Sequence, residues 1–346
     1  MREDVRTRVR TTLATVAAAA GTSVPTASKV LRGGTDVSET TRQRVMQAAY
    51  ELGYSRTGAS WMAPVSAYHP ALVDLVVSNI EGSWANRVLA GVERAATEVG
   101  SDVVITIARP DRDWVKRLLR RPSEGAIIVL VDPTPVQLGV LRAGAVPLVL
   151  IDPMSTPPDD FASVGVTNWE GGRSAAEHLV SLGHRRFAVV GGARSHLYSK
   201  ARIDGFRSAV SEAGGAIPGR LIAHGNWDRA KAREEALGLL RSTERPTAMF
   251  ACSDLMALGI CDAARELGLR VPDDLSVVGF DDLPEAEWAS PALTTVQQPI
   301  AEMGAAALRM LLRVGSRDPS TGARTPREEL ATRLVVRDST APPHQG

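Results

Sequence analysis

The sequence predicts an α/β protein with a small helical head, and two observations lead to that prediction. Residues 13–54 have the pattern of three short helices, the first two joined by a turn at 21–23. From residue 71 onward, short runs of Val, Ile and Leu alternate with amphipathic helical stretches. Because parallel sheets are covered on both faces by crossover helices, this alternation predicts doubly wound parallel sheets.

The first two predicted helices are defined by an apolar stripe and by their ends. The stripe of the first helix consists of Leu13, Val16, Ala17 and Ala20. Gly21 follows where a stop with positive φ is expected, and Ser23 suits the N-cap of the second helix, with Pro25 in its first turn. Two helices separated by such a turn form the DNA-binding helix-turn-helix, whose second helix enters the major groove.

The third predicted helix begins after Ser38, a good N-cap, and ends near Gly53. Its stripe of small apolar residues is also ordinary core, so the charge balance is an independent observation. Residues 1–60 contain nine Lys and Arg against five Asp and Glu, a balance of +4 in a chain of +1, which leaves −3 for the remainder. A basic end on a slightly acidic body is expected for phosphate contact, and a solvated basic face is the alternative.

The body is predicted to contain two similar lobes. Strands are expected at 72–77, 103–107, 126–131, 147–151, 163–166, 187–190, 221–223, 248–251 and 276–280. Helices are expected at 86–99, 111–121, 136–142, 170–182, 200–213, 228–241 and 255–267. Nine strands are too many for one comfortable sheet of this kind. Ligands of such folds bind beyond the carboxyl ends of the strands, so a cleft between two lobes is the expected pocket.

Composition argues against several classes of protein. No run reaches the ~18 apolar residues that span a membrane, and the first residues lack the apolar segment of a secretory signal. Cys252 and Cys261 have no metal-ligand spacing and suit a reducing cytoplasm. We therefore expect a cytoplasmic protein without a metal, a cofactor or a membrane contact. Residues 56–70 have the composition of a linker, and the polar tail 339–346 is expected to be disordered.

The order of motifs resembles the lactose-repressor (LacI/GalR) family over nearly the whole chain. Matching segments include Ser28-Lys29-Val30-Leu31, Glu51-Leu52-Gly53-Tyr54, Gly183-His184-Arg185-Arg186, Ser253-Asp254-Leu255-Met256 and Val278-Gly279-Phe280-Asp281-Asp282. The resemblance implies a homodimer that binds a pseudo-palindromic double-stranded DNA operator and responds to a small molecule, usually a sugar. It also implies a periplasmic-binding-protein-like core of two doubly wound parallel-sheet lobes joined by three crossings.

The resemblance divides the chain into a helix-turn-helix head at 1–55, a hinge at 56–70 and a core at 71–338. Lobe one is expected to comprise 71–165 plus 298–324, and lobe two 166–297 plus 325–338. The three crossings are placed near Val166, Gln297 and Arg324, with a final strand at 332–336 closing lobe two.

By the same resemblance, Val24, Pro25 and Lys29 occupy the base-reading positions of the second helix. Lys29 can donate to guanine O6 and N7, although as a point charge it is less selective than Arg. The other predicted DNA contacts are Leu13, Ser23, Thr26, Ser28, Arg32, Ser38, Thr41 and Tyr54. Most of them suit phosphate contact, which fixes register without reading sequence. For Ser23 and Ser38 capping is the simpler role, and the two roles are compatible.

The hinge departs from the family pattern. Relatives follow the tyrosine with Pro-Asn and a small helix whose Leu wedges into the minor groove. Here Ala63 occupies the wedge position, and alanine is too small to unstack a base step well. We expect Met62 to supply the wedge after a small shift in register; weaker kinking of the DNA is the alternative.

Four residues are predicted to form the effector site because they end strands or begin helices and match the family's positions. They are Asp152, Arg202, Trp227 and Asp281. Carboxylates and Arg make directional bonds to paired hydroxyls, and an aromatic face covers the apolar side of a sugar ring. The alternatives are that Asp152 caps a turn, that Arg202 pairs with Asp204 or another acid, and that Trp227 is core.

Further predicted effector contacts are Ser253, Asp254 and Trp84. Ser253 stands where many relatives have Asn, so the pattern of hydroxyls recognised is expected to differ. Trp84 and Trp169 flank loops of lobe one and of a crossing and could add stacking faces, as in oligosaccharide sites. Ligand binding is expected to change the arrangement of the two lobes and, through it, the fit of the two heads to their half-sites.

Two other classes of protein fit the sequence less well. A sugar-binding protein of an uptake system would share the core, but the missing signal peptide and the added head argue against it. An enzyme is disfavoured because the Gly191-Gly192-Ala193 turn does not complete a dinucleotide motif. Ser195-His196 likewise has no recognisable third catalytic partner.

Overall fold

The head folds as three helices in a computed structural model that describes residues 12–31, 34, 37–52, 71–109, 111–316 and 325–344. The helices are α1 (Leu13–Ala19), α2 (Val24–Val30) and α3 (Glu39–Glu51). Gly21 has φ +58°, as the predicted stop requires. Seven buried residues form the core of the head: Val16, Ala17, Ala20, Ala27, Val30, Val45 and Ala48. The predicted helix-turn-helix is therefore confirmed.

The rest of the chain, from Ala71 onward, forms a separate compact unit. Its first part contains β1 (Ala71–Val77), α4 (Ser83–Glu98), β2 (Ser101–Ile107), α5 (Trp114–Leu118), β3 (Gly125–Val129), α6 (Pro135–Ala143), β4 (Leu148–Ile151) and β5 (Ala162–Val166). These strands are nearly continuous runs of buried Val, Ile and Leu, as expected for a parallel sheet covered on both faces.

The second part has the same alternating pattern. It contains α7 (Asn168–Ser181), β6 (Phe187–Gly191), α8 (Leu197–Glu212), β7 (Ile222–His224), α9 (Arg229–Leu240), β8 (Ala248–Ala251), α10 (Asp254–Glu266), β9 (Ser276–Asp281), α11 (Pro284–Trp288) and β10 (Thr294–Gln297). The chain ends with α12 (Ile300–Gly315), β11 (Arg327–Leu330) and β12 (Arg333–Val335). The predicted helices and strands of the body are all present, with ends that shift by a few residues.

Two six-stranded sheets result, one in each lobe. Lobe one has the order β11-β5-β4-β3-β1-β2, and lobe two has the order β12-β10-β9-β8-β6-β7. All neighbours are parallel except β12, which runs antiparallel to β10 with Val296 opposite Leu334. In lobe one α12 returns to pack on α4 and the sheet. Each strand order reverses beside the first strand of its lobe, between β1 and β3 in lobe one and between β6 and β8 in lobe two. Ligands of such sheets bind beyond the carboxyl ends of the strands at that point.

The third crossing and the tail both differ from the prediction. We expected 325–338 to belong to lobe two, but β11 pairs in parallel with β5 of lobe one, with Glu328 opposite Val164. The crossing therefore lies between β11 and β12 rather than near Arg324. The sequence signal was weak because β11 is a polar edge strand, Arg-Glu-Glu-Leu, with alternating exposure.

The segment after β12 is also ordered as far as it is described, contrary to the predicted disorder of 339–346. Ser339 is fully buried; its hydroxyl accepts from the Thr294 N–H at 2.8 Å and donates to the Val277 carbonyl at 2.6 Å. The Ala341 N–H donates to the Ser276 hydroxyl at 3.0 Å. Polar side chains hold this segment against lobe two, which is why an apolar pattern could not reveal it.

Candidate functional site

The second helix of the head presents the predicted base-reading side chains outward. Val24, Pro25 and Lys29 are exposed, whereas Ala27 and Val30 on the opposite face are buried in the head core. This division follows the helical period and leaves one face of α2 free of core contacts.

The predicted capping serines are confirmed as caps. The Ser23 hydroxyl accepts from the Thr26 N–H at 3.3 Å, and the Ser38 hydroxyl accepts from the Thr41 N–H at the same distance. Each pair is closed by a contact between the two hydroxyls, at 2.8 and 2.9 Å. Because these groups are partly or fully exposed, capping leaves them at the surface, at the amino-terminal ends of α2 and α3 where an anion is favoured.

Of the remaining predicted DNA contacts, two are described by the structure and three are not. Leu13 is half-buried and packs against the head core, so its described contacts are those of a packing residue. Ser28 is half-buried on α2. Arg32, Tyr54 and Met62 lie outside the described residues, as does Ala63.

In the core, Arg202 of α8 is the centre of the predicted effector site. Its side chain is 2% exposed and lies over the Phe280 ring, with 3.7 Å from Cζ to the ring centroid. Nε donates to Asn168 Oδ1 at 2.7 Å, and Nη1 donates to the Cys252 carbonyl at 2.6 Å. A buried guanidinium held this firmly is costly unless carboxylates balance its charge. The predicted alternative pairing with Asp204 is absent from the described ion pairs.

Two carboxylates supply that balance, one from each lobe. Asp281, at the end of β9, has Oδ1 3.5 Å from Arg202 Nη1 and accepts from Gln298 Nε2 at 2.5 Å. Asp152, directly after β4, is also buried and has φ +45°, a conformation that holds the side chain at the end of its strand. Both residues therefore follow the carboxyl ends of strands, as predicted.

Burial dominates the electrostatics of this site. It raises the pKa of Asp281 to about 7 and the pKa of Asp152 to about 6, while the charge of Arg202 opposes both shifts. Two buried carboxylates compete for one guanidinium, so each is closer to neutrality than a surface carboxylate. A hydroxyl-rich ligand could donate to either oxygen pair and thereby favour the ionised form.

Trp227 forms an aromatic wall with two residues that the sequence did not single out, His196 and Tyr198. The His196 and Trp227 rings are stacked at 16° with centroids 6.0 Å apart, and the Tyr198 ring lies 5.1 Å from that of Trp227. Arg202 Cζ is 5.6 Å from the Tyr198 ring and 5.8 Å from the Trp227 ring. The wall therefore stands directly beside the charged centre, and Trp227 is not merely core.

The side chains of Ser253 and Asp254 form hydrogen bonds within the protein. The Ser253 hydroxyl caps α10 by accepting from the Met256 N–H at 3.2 Å. Asp254 is fully buried; Oδ2 accepts from the Leu283 N–H at 2.8 Å and Oδ1 accepts from the Thr295 hydroxyl at 2.5 Å. Both oxygens therefore have partners inside lobe two, one in the loop after Asp281 and one on β10, and the effector contact of Asp254 stays a prediction.

The other predicted tryptophans are not brought into this cluster by the described contacts. Trp84, at the start of α4, is half-buried and packs against the core of lobe one. Trp169 on α7 is 38% exposed and has Arg173 Cζ 5.7 Å from its ring. The contacts of Trp84 lie within lobe one, and the contact of Trp169 lies within lobe two.

Hydrogen bonds cross between the lobes next to the effector site. Arg87 of α4 donates through Nη1 to the Asp282 carbonyl at 2.7 Å. The Ser83 hydroxyl, on the same helix, donates to the Glu285 carboxylate of α11. Because Asp282 follows Asp281 in the chain, the charged centre is one residue away from a contact with lobe one.

Sequence reasoning missed four residues: Asn168, His196 and Gln298, which bond to predicted residues, and Tyr198, whose ring contacts Trp227 and Arg202. Asn168 is the first residue of α7, directly after the crossing, and Gln298 directly follows β10. For Asn168 and Gln298, the feature of the sequence that could have identified them is their position beside the crossings between the lobes. Nothing in the sequence places residue 196 beside residue 227.

The described residues contain no group of three or more His, Cys, Asp or Glu side chains that could hold a metal ion. None of the described helices is both long and apolar enough to cross a membrane.

A helix-turn-helix head followed by a two-lobed receptor defines a ligand-responsive DNA-binding regulator as the class of protein. The family described as bacterial regulatory proteins, lacI family, matches residues 12–57, and a periplasmic binding protein-like domain matches residues 176–340. The HTH-type transcriptional regulator DegA of Bacillus subtilis (strain 168) is 34% identical over 343 residues, which cover 96% of this chain and 99% of DegA.

Solved structures agree. The complex of the transcriptional regulator CelR with cellobiose has a TM-score of 0.71 and 30% identity, covering 95% of this chain and 100% of CelR. The lac repressor dimer bound to operator and the anti-inducer ONPF has a TM-score of 0.72 and 28% identity, covering 96% of this chain and 100% of that chain. This chain belongs to the lacI family of bacterial regulatory proteins. It is a DNA-binding transcriptional regulator, and its named relatives are regulators rather than enzymes or solute-binding proteins.

Proposed function

We propose that this protein is a cytoplasmic repressor that binds a pseudo-palindromic operator as a homodimer and whose operator affinity is controlled by a small sugar or oligosaccharide. The sugar binds between the two lobes. The observation that carries the proposal is the buried Arg202, with Asp281 and Asp152 on either side and the Trp227 wall beside it. This combination of directional charged groups and an aromatic face is the chemistry that a pyranose ring requires.

The protein uses some of the polar atoms of this site and leaves others for a ligand. Arg202 Nε and Nη1 are bonded to Asn168 and Cys252, and Asp281 Oδ1 is bonded to Gln298. Arg202 Nη2 takes part in none of the described hydrogen bonds, whereas the Asp281 carboxylate also accepts from the Asp254 backbone N–H. Nη2 as a donor and the remaining lone pairs of the Asp281 carboxylate as acceptors suit a hydroxyl pair on one face of a sugar.

The head supplies DNA contact through the outward face of α2. Val24, Pro25 and Lys29 meet base edges, while Ser23 and Thr26 lie where the helix amino terminus favours a phosphate. The relative solved with its operator is a dimer, which supports the proposed pairing of two heads. The cellobiose bound to CelR supports the class of effector.

Control of DNA binding by the ligand runs through the junction beside Asp281. Ligand contact at Asp281 favours one position of the loop that follows β9, and Asp282 in that loop accepts from Arg87 of lobe one. A change in lobe arrangement then alters the spacing of the two heads. A coupling free energy of roughly 1–3 kcal/mol would change operator affinity about 5- to 150-fold.

Two experiments test this proposal together. A thermal-shift screen of monosaccharides and oligosaccharides, with cellobiose included, is expected to find a stabilising ligand, since about 2.7 kcal/mol is gained at 100 times its dissociation constant. Gel shifts on genomic fragments are expected to show a specific complex that weakens steeply with salt and responds to the same sugar. A protein that binds no duplex at low salt, or no sugar in the screen, would contradict the proposal.

A further inference from the structure

We infer that His196 is a positioning residue of the effector site: its unprotonated Nδ1 accepts hydrogen bonds from both Trp227 and Tyr198 and so holds the aromatic wall in place. The inference rests on the proposed function only for its effect on ligand binding. The arrangement itself is a property of the protein without ligand, and it can be tested in that state.

The chemistry of the indole fixes the tautomer of His196. Trp227 Nε1 lies 3.0 Å from His196 Nδ1, and an indole N–H can only donate. Nδ1 therefore carries no proton, and the imidazole proton is on Nε2. The Tyr198 hydroxyl, 3.0 Å from the same Nδ1, must then be a donor as well. Burial raises the pKa of Tyr198, so its hydroxyl keeps the proton that it donates.

The backbone conformation and a neighbouring glycine determine where the Trp227 indole can lie. Asn226 and Trp227 have φ of +50° and +65°, which directs the indole back over the loop that follows β6. A Cβ on Gly192 would lie 1.9 Å from the indole, so only glycine allows the ring to lie there. Backbone and glycine permit this position, and the bond to His196 selects the rotation of the ring within it.

The two hydrogen bonds determine what the wall can offer to a ligand. Because the indole N–H and the phenol O–H both donate to His196, neither proton is available to a sugar oxygen. The polar atoms of the wall that can still bond to a sugar are the Tyr198 oxygen, as an acceptor, and the His196 Nε2–H, as a donor. The Trp227 indole therefore contributes its ring face only.

His196 also stands at the border between the lobes. The N–H of the next residue, Leu197, donates to the Met154 carbonyl of lobe one at 3.0 Å. Asp132, in the loop after β3 of lobe one, is the charged group that acts on the imidazole across the cleft, and Tyr198 is the titratable group that contacts it from α8. Asp132 and Met154 belong to lobe one and the aromatic wall belongs to lobe two, so both lobes contribute to the surroundings of His196.

Protonation of His196 would remove the acceptor that both bonds require. Burial lowers the pKa of His196, while the charge of Asp132 opposes that shift. The imidazole is therefore neutral at pH 7 and gains its second proton, at Nδ1, only in acid. At that point the indole and the phenol lose their common partner, and the wall is released.

The ligand-free test observes the Trp227 indole N–H directly. In protein labelled with ¹⁵N-tryptophan, the Trp227 signal is assigned by its loss in Trp227→Phe. We expect it to move on acidification with a midpoint below 6.5, the ordinary pKa of histidine. We also expect it to move at pH 7 in His196→Phe, which keeps a ring but has no acceptor. In His196→Asn, whose amide oxygen can replace Nδ1, it should stay near the wild-type position and not titrate. A Trp227 signal that is unchanged by His196→Phe or by acid would overturn the inference.

The binding test uses cellobiose, or the sugar that the screen selects. His196→Phe should weaken binding at least about tenfold, while His196→Asn should stay within about threefold, because two hydrogen bonds are lost in one variant and replaced in the other. His178→Asn, a histidine that bonds to Thr340 away from the cleft, is the control. Equal affinities in all variants would overturn the role of His196. Absence of sugar binding by the wild type would instead overturn the proposed function, and the ligand-free signals would still decide the arrangement.

Discussion

The two lobes share one topology but contribute very differently to the effector site. Five strands occupy equivalent places in the two sheets, in the order β2-β1-β3-β4-β5 in lobe one and β7-β6-β8-β9-β10 in lobe two. Lobe two contributes Arg202 from the second turn of α8, Trp227 from the loop between β7 and α9, and Asp281 from the end of β9. Among the described side chains of the charged centre, lobe one contributes Asp152.

The difference favours unequal roles for the lobes in the proposed site. Lobe two carries the guanidinium, the aromatic rings and the internal hydrogen bonds that orient them. Lobe one adds a carboxylate and the Arg87 contact to Asp282. We propose that lobe two recognises the ligand and that lobe one responds to it, a division made by the loops after the strands rather than by the fold.

The largest effect is expected from Arg202→Ala. Removing the guanidinium leaves Asp281 and Asp152 buried without their common cation, which is strongly destabilising for a buried charge network. We expect sugar binding to fall by at least about 100-fold, in line with a loss of roughly 3 kcal/mol or more, and the melting temperature to drop. Calorimetry and thermal unfolding measure both. Arg207→Ala, an exposed position on the same helix, is the control; equal losses in the two variants would show that α8, not the site, was damaged.

The next effect is a pH dependence specific to the carboxylates. The folded-state pKa of Asp152 is about 6, raised from its ordinary value of 3.8, so the native protein binds more protons than the unfolded chain in that interval. The contribution of Asp152 to stability is therefore fully present below pH 3.8 and is lost as pH rises through about 6. The asparagine of Asp152→Asn does not titrate, so this variant does not lose that contribution to stability as the pH rises. The melting temperature of Asp152→Asn relative to wild type should rise between pH 4 and 7, and a difference that stays constant with pH would contradict this origin.

A smaller effect is expected at the contact between the lobes. Arg87→Ala removes the donor to the Asp282 carbonyl but touches no atom of the charged centre. Sugar affinity should change little, while the ratio of operator affinities with and without sugar should shift roughly 2- to 30-fold, as for a coupling change of about 0.5–2 kcal/mol. Arg94→Ala, an exposed position on the same helix, should leave the ratio unchanged. A ratio altered equally by both variants would remove Arg87 from the coupling.

The last effect concerns stability rather than the response to sugar, and it compares the final segments of the two lobes. Ser339→Ala leaves the buried Thr294 N–H without its acceptor, at a cost of roughly 1–3 kcal/mol. The melting temperature should fall by a few degrees, with sugar affinity retained. Ser316→Ala at the exposed end of α12 in lobe one should have no measurable effect. If Ser339→Ala also leaves the melting temperature unchanged, the ordered tail does not stabilise lobe two.

Most of the fold and the centre of the site were predictable from the sequence, because both follow from local patterns. Runs of Val, Ile and Leu mark the strands; Asp152 directly follows β4, and Asp281 is the last residue of β9. The contacts of His196 were not predictable, because positive φ at Asn226 and Trp227 brings together residues far apart in the chain. The strand β11 and the segment around Ser339 were missed because polar side chains hold them, and such segments have no hydrophobic period.

The most direct test of ligand control is the affinity of the full-length protein for its operator, measured by fluorescence anisotropy at fixed salt with and without the selected sugar. Wild type should show a change of about 5- to 150-fold, and Arg202→Ala should bind the operator with no response to the sugar. No change in the wild type, or the same change in Arg202→Ala, would contradict control through the cleft between the lobes.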